Sequence, residues 1–101
     1  MAGSQVGRVT VALSDDNAAN LNTVPITATG MTFAVEANAI RWRADGTPPT
    51  ATEGQLLNPG DIFTVDGDDY QDFMKKFQII NNTAGSNGTI DGAYLKGNVR
   101  H

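Results

Sequence analysis

Residues 37–54 read Ala-Asn-Ala-Ile-Arg-Trp-Arg-Ala-Asp-Gly-Thr-Pro-Pro-Thr-Ala-Thr-Glu-Gly, and they predict a short strand that stops at a hard turn. Ile40 and Trp42 alternate with Arg41 and Arg43, so two apolar side chains share one face and two guanidinium groups share the other. Asp45-Gly46 supplies the turn, because glycine tolerates positive φ and aspartate bonds its own backbone. Pro48-Pro49 then holds the chain extended and removes backbone donors. The Thr-rich loop that follows is stiff and exposed, a shape that suits contact with another protein better than it suits chemistry. The expected contact elements are Arg41, Arg43, Asp45, Thr47, Pro48, Pro49 and Thr50, with the arginines turned to solvent and open to carboxylates of this or a neighbouring chain.

The period-two pattern continues on both sides. Val9, Val11 and Leu13 alternate with Arg8, Thr10 and Ala12. Val24, Ile26 and Ala28 predict a second strand, placed at an edge by Pro25. Met31, Phe33 and Val35 predict a third, and Asn38 marks a bend before Ile40. Beyond the loop, Leu56-Leu57 lead into the turn Asn58-Pro59-Gly60-Asp61. Ile62, Phe63 and Val65 follow as a strand ended by Asp66-Gly67. Tyr70, Phe73, Met74 and Phe77 have the spacing of a helical face, with Asp68 or Asp69 as cap. The competing reading is a strand through Phe73, Phe77 and Ile79. Phe77, Ile79 and Ile80 predict another strand, residues 81–88 a polar loop, and Ile90 to Leu95 a last strand bent at Gly92. The expected fold is all-β. It is a small antiparallel sandwich or barrel of roughly six to eight short strands, with at most one short helix near 69–76. A chain of 101 residues suits one β domain, with residues 1–5 and 97–101 as flexible tails.

Charge and composition narrow the function. Seven basic against eleven acidic residues leave a net charge of −4. That argues against a free-standing nucleic-acid binder and against an anionic membrane surface as partner. The chain has no cysteine, which excludes a disulfide framework, a thiolate nucleophile and a Cys-based zinc site. No apolar run approaches the about 20 residues of a membrane helix. Met1-Ala2-Gly3-Ser4-Gln5 has neither a basic start nor an apolar segment, so no secretory signal is visible and synthesis is expected in the cytoplasm.

The catalytic inventory is thin. The only histidine is His101 at the C-terminus, where nothing orients it as a base. Asp61, Asp66, Asp68, Asp69 and Asp72 form an acidic stretch that could offer oxygen ligands to calcium. Their spacing does not match the helical-loop calcium signature, and turns and helix caps explain them equally well. No Gly-rich phosphate loop follows a strand. The expectation is therefore no catalytic residue, no cofactor and no metal, with Trp42 as a core anchor.

The segment Ala39 to Gly54, with its Ile-Arg-Trp-Arg strand, Asp-Gly-Thr, proline and Thr-Ala-Thr, resembles small structural proteins encoded in tailed-bacteriophage genomes. Leu56-Leu57, Gly60-Asp61, the Phe77 to Ile80 strand, Ala84-Gly85 and Tyr94 continue the likeness over residues 24–96. The acidic stretch at 66–76 departs from it. The resemblance implies a virion protein without catalytic residues, a capsid decoration or cement protein or a neck or tail accessory protein. Its partners would be other virion proteins, the major capsid protein or neck and tail subunits, and further copies of itself as a homo-oligomer. Its location would be the virion, after synthesis in the host cytoplasm. A second expectation is a carbohydrate- or receptor-binding module using Trp42, Tyr70 and Tyr94; an enzyme would have to work with Asp and Arg alone.

Overall fold

A computed structural model describes residues 4–65 and 70–96. The expectations for residues 1–3 and 97–101, His101 included, and for Asp66-Gly67 and the Asp68 or Asp69 cap lie outside these residues. Eight strands and one helix follow in chain order: β1 (Ser4–Ala12), β2 (Ala19–Asn20), β3 (Gly30–Ala37), β4 (Ile40–Arg43), β5 (Gln55–Leu57), β6 (Ile62–Val65), α1 (Gln71–Lys76), β7 (Gln78–Asn81) and β8 (Thr89–Lys96). They form two antiparallel sheets of four strands, ordered β1-β8-β3-β6 and β2-β7-β4-β5. The sheets do not close on each other, so the architecture is a sandwich and not a barrel.

Alternation places one face of each sheet inside. In the first sheet Val9, Gly92, Phe33 and Phe63 stand in one cross-strand row. In the second, Ala19, Ile79, Trp42 and Gln55 form a comparable row. Val9, Met31, Phe33, Val35, Ile40, Ile79 and Ile90 are fully or almost fully buried between the sheets. Each stabilises the fold by about 1.5–3 kcal/mol relative to an exposed side chain. Every aromatic residue except Tyr94 joins one ring cluster that includes Phe33, Phe63 and Phe77.

The helical reading of 70–77 holds against the strand reading. Met74 and Phe77 turn into the core from α1, and the Phe77 N–H bonds the Met74 carbonyl as the helix ends. Asn38 adopts φ 59 at the expected bend, and its amide bonds the Asn87 carbonyl at 2.9 Å. The Asn58 to Asp61 turn closes as expected, with the Asp61 N–H on the Asn58 carbonyl and the Asp61 carboxylate accepting the Asn58 N–H.

Two expectations are corrected. Val24 to Ala28 is not a strand: the Ala28 N–H reaches back to the Pro25 carbonyl in a turn, and Ile26 is 90% exposed. Pro25 has no N–H to give a ladder, and the turn carries the segment past Gly7, whose missing Cβ would lie 2.9 Å from the Pro25 ring. The strand of this region is β2, inside the connection at residues 17–22 that reads Asn-Ala-Ala-Asn-Leu-Asn. Ser4 and Gln5, expected in a tail, are strand residues opposite Lys96 and Leu95, because β8 extends far enough to pair with them.

Polar side chains tie the loops to the sheets. Asn22 accepts the Thr10 N–H and donates to the Arg8 carbonyl, closing part of the free edge of β1 as a neighbouring strand would. The buried Tyr94 hydroxyl donates to the Asn22 carbonyl at 2.9 Å. Burial pushes the Tyr94 pKa up to about 12.

Candidate functional site

The loop after β4 is built around Arg41. Its position on the outer face of the second sheet, between Ile80 and Leu56, directs the guanidinium across the loop that returns to β5. Nε donates to the Ala51 carbonyl at 3.1 Å and to Asn82 Oδ1 at 3.0 Å, and a terminal nitrogen donates to the Gly54 carbonyl at 2.9 Å. One cation thus satisfies carbonyls that a loop without a ladder leaves unpaired. Arg41 is half-buried in its own chain and is not the solvent-facing arginine expected from alternation.

Thr50 completes the loop. Its hydroxyl accepts the Thr52 and Glu53 N–H groups, and its backbone exchanges hydrogen bonds with Glu53 in both directions. Gly54 closes the return at φ 132, where a Cβ would lie 3.0 Å from the Trp42 carbonyl and 3.3 Å from the Pro49 Cβ. Only glycine fits that approach. Pro49 is buried beneath the loop, while Thr47, Pro48 and Thr50 remain exposed.

Arg43 and Asp45 pair across the turn. Arg43 Nε donates to Asp45 Oδ1 at 3.2 Å, and a terminal nitrogen bonds the second carboxylate oxygen. Asp45 Oδ1 also accepts the Thr47 N–H at 3.1 Å. The Arg43 hydrogen bonds, then the Thr47 N–H, hold the Asp45 carboxyl below its ordinary value of 3.8. The partner expected for Arg43 on a carboxylate is therefore found within the chain.

Beside this pair lies an open groove of about 490 Å³ between the end of β4, the start of β5 and α1. Trp42 and Phe73 line it, with Arg43, Asp45, Gly54 and Gln55. Trp42 is half-buried, stacked on Phe77 at 5.0 Å and 18° and set edge-on to Phe73 at 5.8 Å. It anchors the core with one part of its ring and meets the groove with another. Of the other aromatics expected to face a ligand, Tyr94 is fully buried and Tyr70 stands edge-on to Phe73 at 5.7 Å. Sequence reasoning missed Phe73 and Gln55 as groove residues. Spacing carries no signal for Gln55, which reaches the groove only because β5 returns beside β4 with Gln55 opposite Trp42.

Among the described residues, no group of three or more His, Cys, Asp or Glu side chains is placed to hold a metal ion. No helix of the described residues is long and apolar enough to cross a membrane. Set against protein-family models, curated proteins and solved structures, the chain matches none.

The Arg41 clamp makes a local prediction. Arg41→Ala should cost about 1.5–3 kcal/mol, the range for lost hydrogen bonds to a charged group. Hydrogen exchange should quicken at Thr52 and Glu53, while β3 and β8 keep their protection. Unchanged exchange in the loop would remove the clamp from the account.

Proposed function

We propose that this chain is a non-enzymatic structural protein of a phage virion, a capsid decoration protein that binds other virion subunits and further copies of itself. The observation that carries the reading is the loop 45–54. Arg41, Thr50 and Gly54 hold it in one shape before any partner arrives, and its exposed Thr47-Pro48 tip presents that shape outward. A loop ordered in advance loses little entropy on docking. Arg41, Arg43 and Asp45 are engaged in holding its shape, which suits recognition and not catalysis. The resemblance of residues 39–54 to tailed-phage structural proteins supports the same reading.

The test is incorporation into particles. The full-length protein should be found in purified virions at a fixed ratio to the major capsid protein. Thr47→Asp combined with Pro48→Asp should fold normally and lose incorporation by at least about tenfold, a value typical of losing one central contact. Absence from the capsid, or incorporation of the double variant at the parental level, would overturn the proposal; recovery with isolated necks or tails would assign it there instead.

A further inference from the structure

We infer that the groove beside β4 is a binding site for a neutral pyranose sugar, adjoining the 45–54 loop but leaving out its Thr47-Pro48 tip. Its floor and its rim differ in chemistry. The floor is aromatic, Trp42 with Phe73, and Phe77 backs the indole from behind at 5.0 Å. A floor supported in this way keeps its orientation without a ligand. The rim is polar, made by Arg43, Asp45 and Gln55.

A pyranose ring has the same division. One face of the ring presents C–H groups that pack on an aromatic surface, and its edge carries hydroxyls that donate and accept together. Asp45 accepts, Arg43 donates, and the Gln55 amide does both. The Arg43–Asp45 pair fixes two of these groups in one plane, while the exposed Gln55 side chain has no hydrogen-bond partner among the described residues. The volume of about 490 Å³ falls within the roughly 300–1,000 Å³ of small-ligand sites.

Charge selects among ligands. The rim cation and anion neutralise each other, and the chain carries a net charge of −4. A phosphate or polyanionic glycan would meet that negative charge with no unpaired cation in the groove lining to offset it. An apolar protein side chain would fill the floor but leave the Gln55 amide facing it unmatched, which is costly once water is excluded. A neutral sugar satisfies both halves.

Trp42 is the only tryptophan, so its emission reports the floor directly. The full-length protein is titrated with maltohexaose, cellohexaose, chitohexaose and mannohexaose, with dextran sulfate and a Leu-rich peptide as contrasts. At least one neutral oligosaccharide should shift or quench the emission saturably, and amide shifts should concentrate at residues 42–45, 54, 55 and 73. Gln55→Ala, an exposed change on an edge strand, should weaken that binding at least fivefold without altering the melting temperature. Silence toward all four sugars, an equal or stronger response to dextran sulfate or the peptide, or undiminished binding by Gln55→Ala would overturn the inference.

Discussion

A Gly92→Ala chain is expected to lose its cooperative native state. Gly92 lies in β8, which is hydrogen-bonded on both sides, and faces Val9 on one neighbour and Phe33 on the other. A Cβ at this position would sit 1.9 Å from the Thr32 carbonyl oxygen and 2.5 Å from the Phe33 Cα. Both are backbone atoms of β3, so no rotamer change relieves the clash. Relief requires β3 to withdraw from β8 and take Phe33 out of the ring cluster. Ordinary overpacking costs about 1–3 kcal/mol because side chains give way. A backbone clash in a central strand should exceed about 4 kcal/mol, a large part of the roughly 5–15 kcal/mol that holds a domain together. The expected readout is insoluble expression, or a urea transition without a native baseline. Gly46→Ala is the control: φ there is 90 and nothing lies within 4 Å of the added methyl, so the cost should stay near about 1 kcal/mol. Equal melting temperatures for the two variants would contradict the steric account.

Asn81→Ala should produce the second largest loss. Asn81 is 1% exposed, and its amide nitrogen donates to the Asp15 carbonyl, Asp16 Oδ1 and Asn87 Oδ1. Its amide oxygen accepts the N–H of Gly88, a buried residue, at 2.9 Å. Truncation strands donors and acceptors in both flanking loops, at about 1–3 kcal/mol for each group left unsatisfied. A total near 3 kcal/mol would lower the melting temperature by roughly 12–24 °C for a domain of this size.

Acid carries the same signature. The Asn81 hydrogen bond, with the Gly85 N–H second, holds the Asp16 carboxyl below its ordinary value of 3.8. Arg43 and Arg8 do the same for Asp45 and Asp91. A depressed carboxyl adds stability that is present above the unfolded value and is lost as pH falls through the folded one. The parent should therefore weaken below about pH 4. Asn81→Ala should show a shallower acid dependence, because Asp16 then keeps only the weaker of its two depressing hydrogen bonds, the one from the Gly85 N–H. Urea midpoints at pH 7, 4 and 3 would check both points, and parallel acid curves for the two chains would count against the linkage.

The fold was legible where neighbouring residues agree. Met31, Phe33 and Val35 alternate without interruption, and Tyr70 to Phe77 keep a helical spacing that the core rewards at Met74 and Phe77. Val24 to Ala28 alternates too, but a proline and a turn decide that segment, and alternation is blind to both. β2 was hidden because two residues carry no period. In the site, residue type and face were readable for Arg41 and Trp42, but their partners were not. Arg41 is claimed by carbonyls up to thirteen positions away, and Gln55 matters only because a strand return brings it beside Trp42. Such pairings depend on register, which one-dimensional spacing does not encode.

The Asn81 hub also governs how the molecule ages. Asn87-Gly88 is the kind of pair in which the glycine nitrogen attacks the asparagine side-chain carbonyl, expels ammonia and forms a succinimide that water opens to aspartate or isoaspartate. In the fold, that nitrogen is engaged by Asn81 Oδ1 and that carbonyl by the Asn81 amide, both at 2.9 Å. Gly88 is further wedged against Ile40, with 2.4 Å from a built Cβ to the Ile40 Cγ2. The attack geometry is closed while the sandwich is intact. Peptide mapping after long storage should find Asn87 unmodified in the folded protein and converted in the Asn81→Ala chain, so the hub sets a chemical lifetime as well as a thermodynamic one.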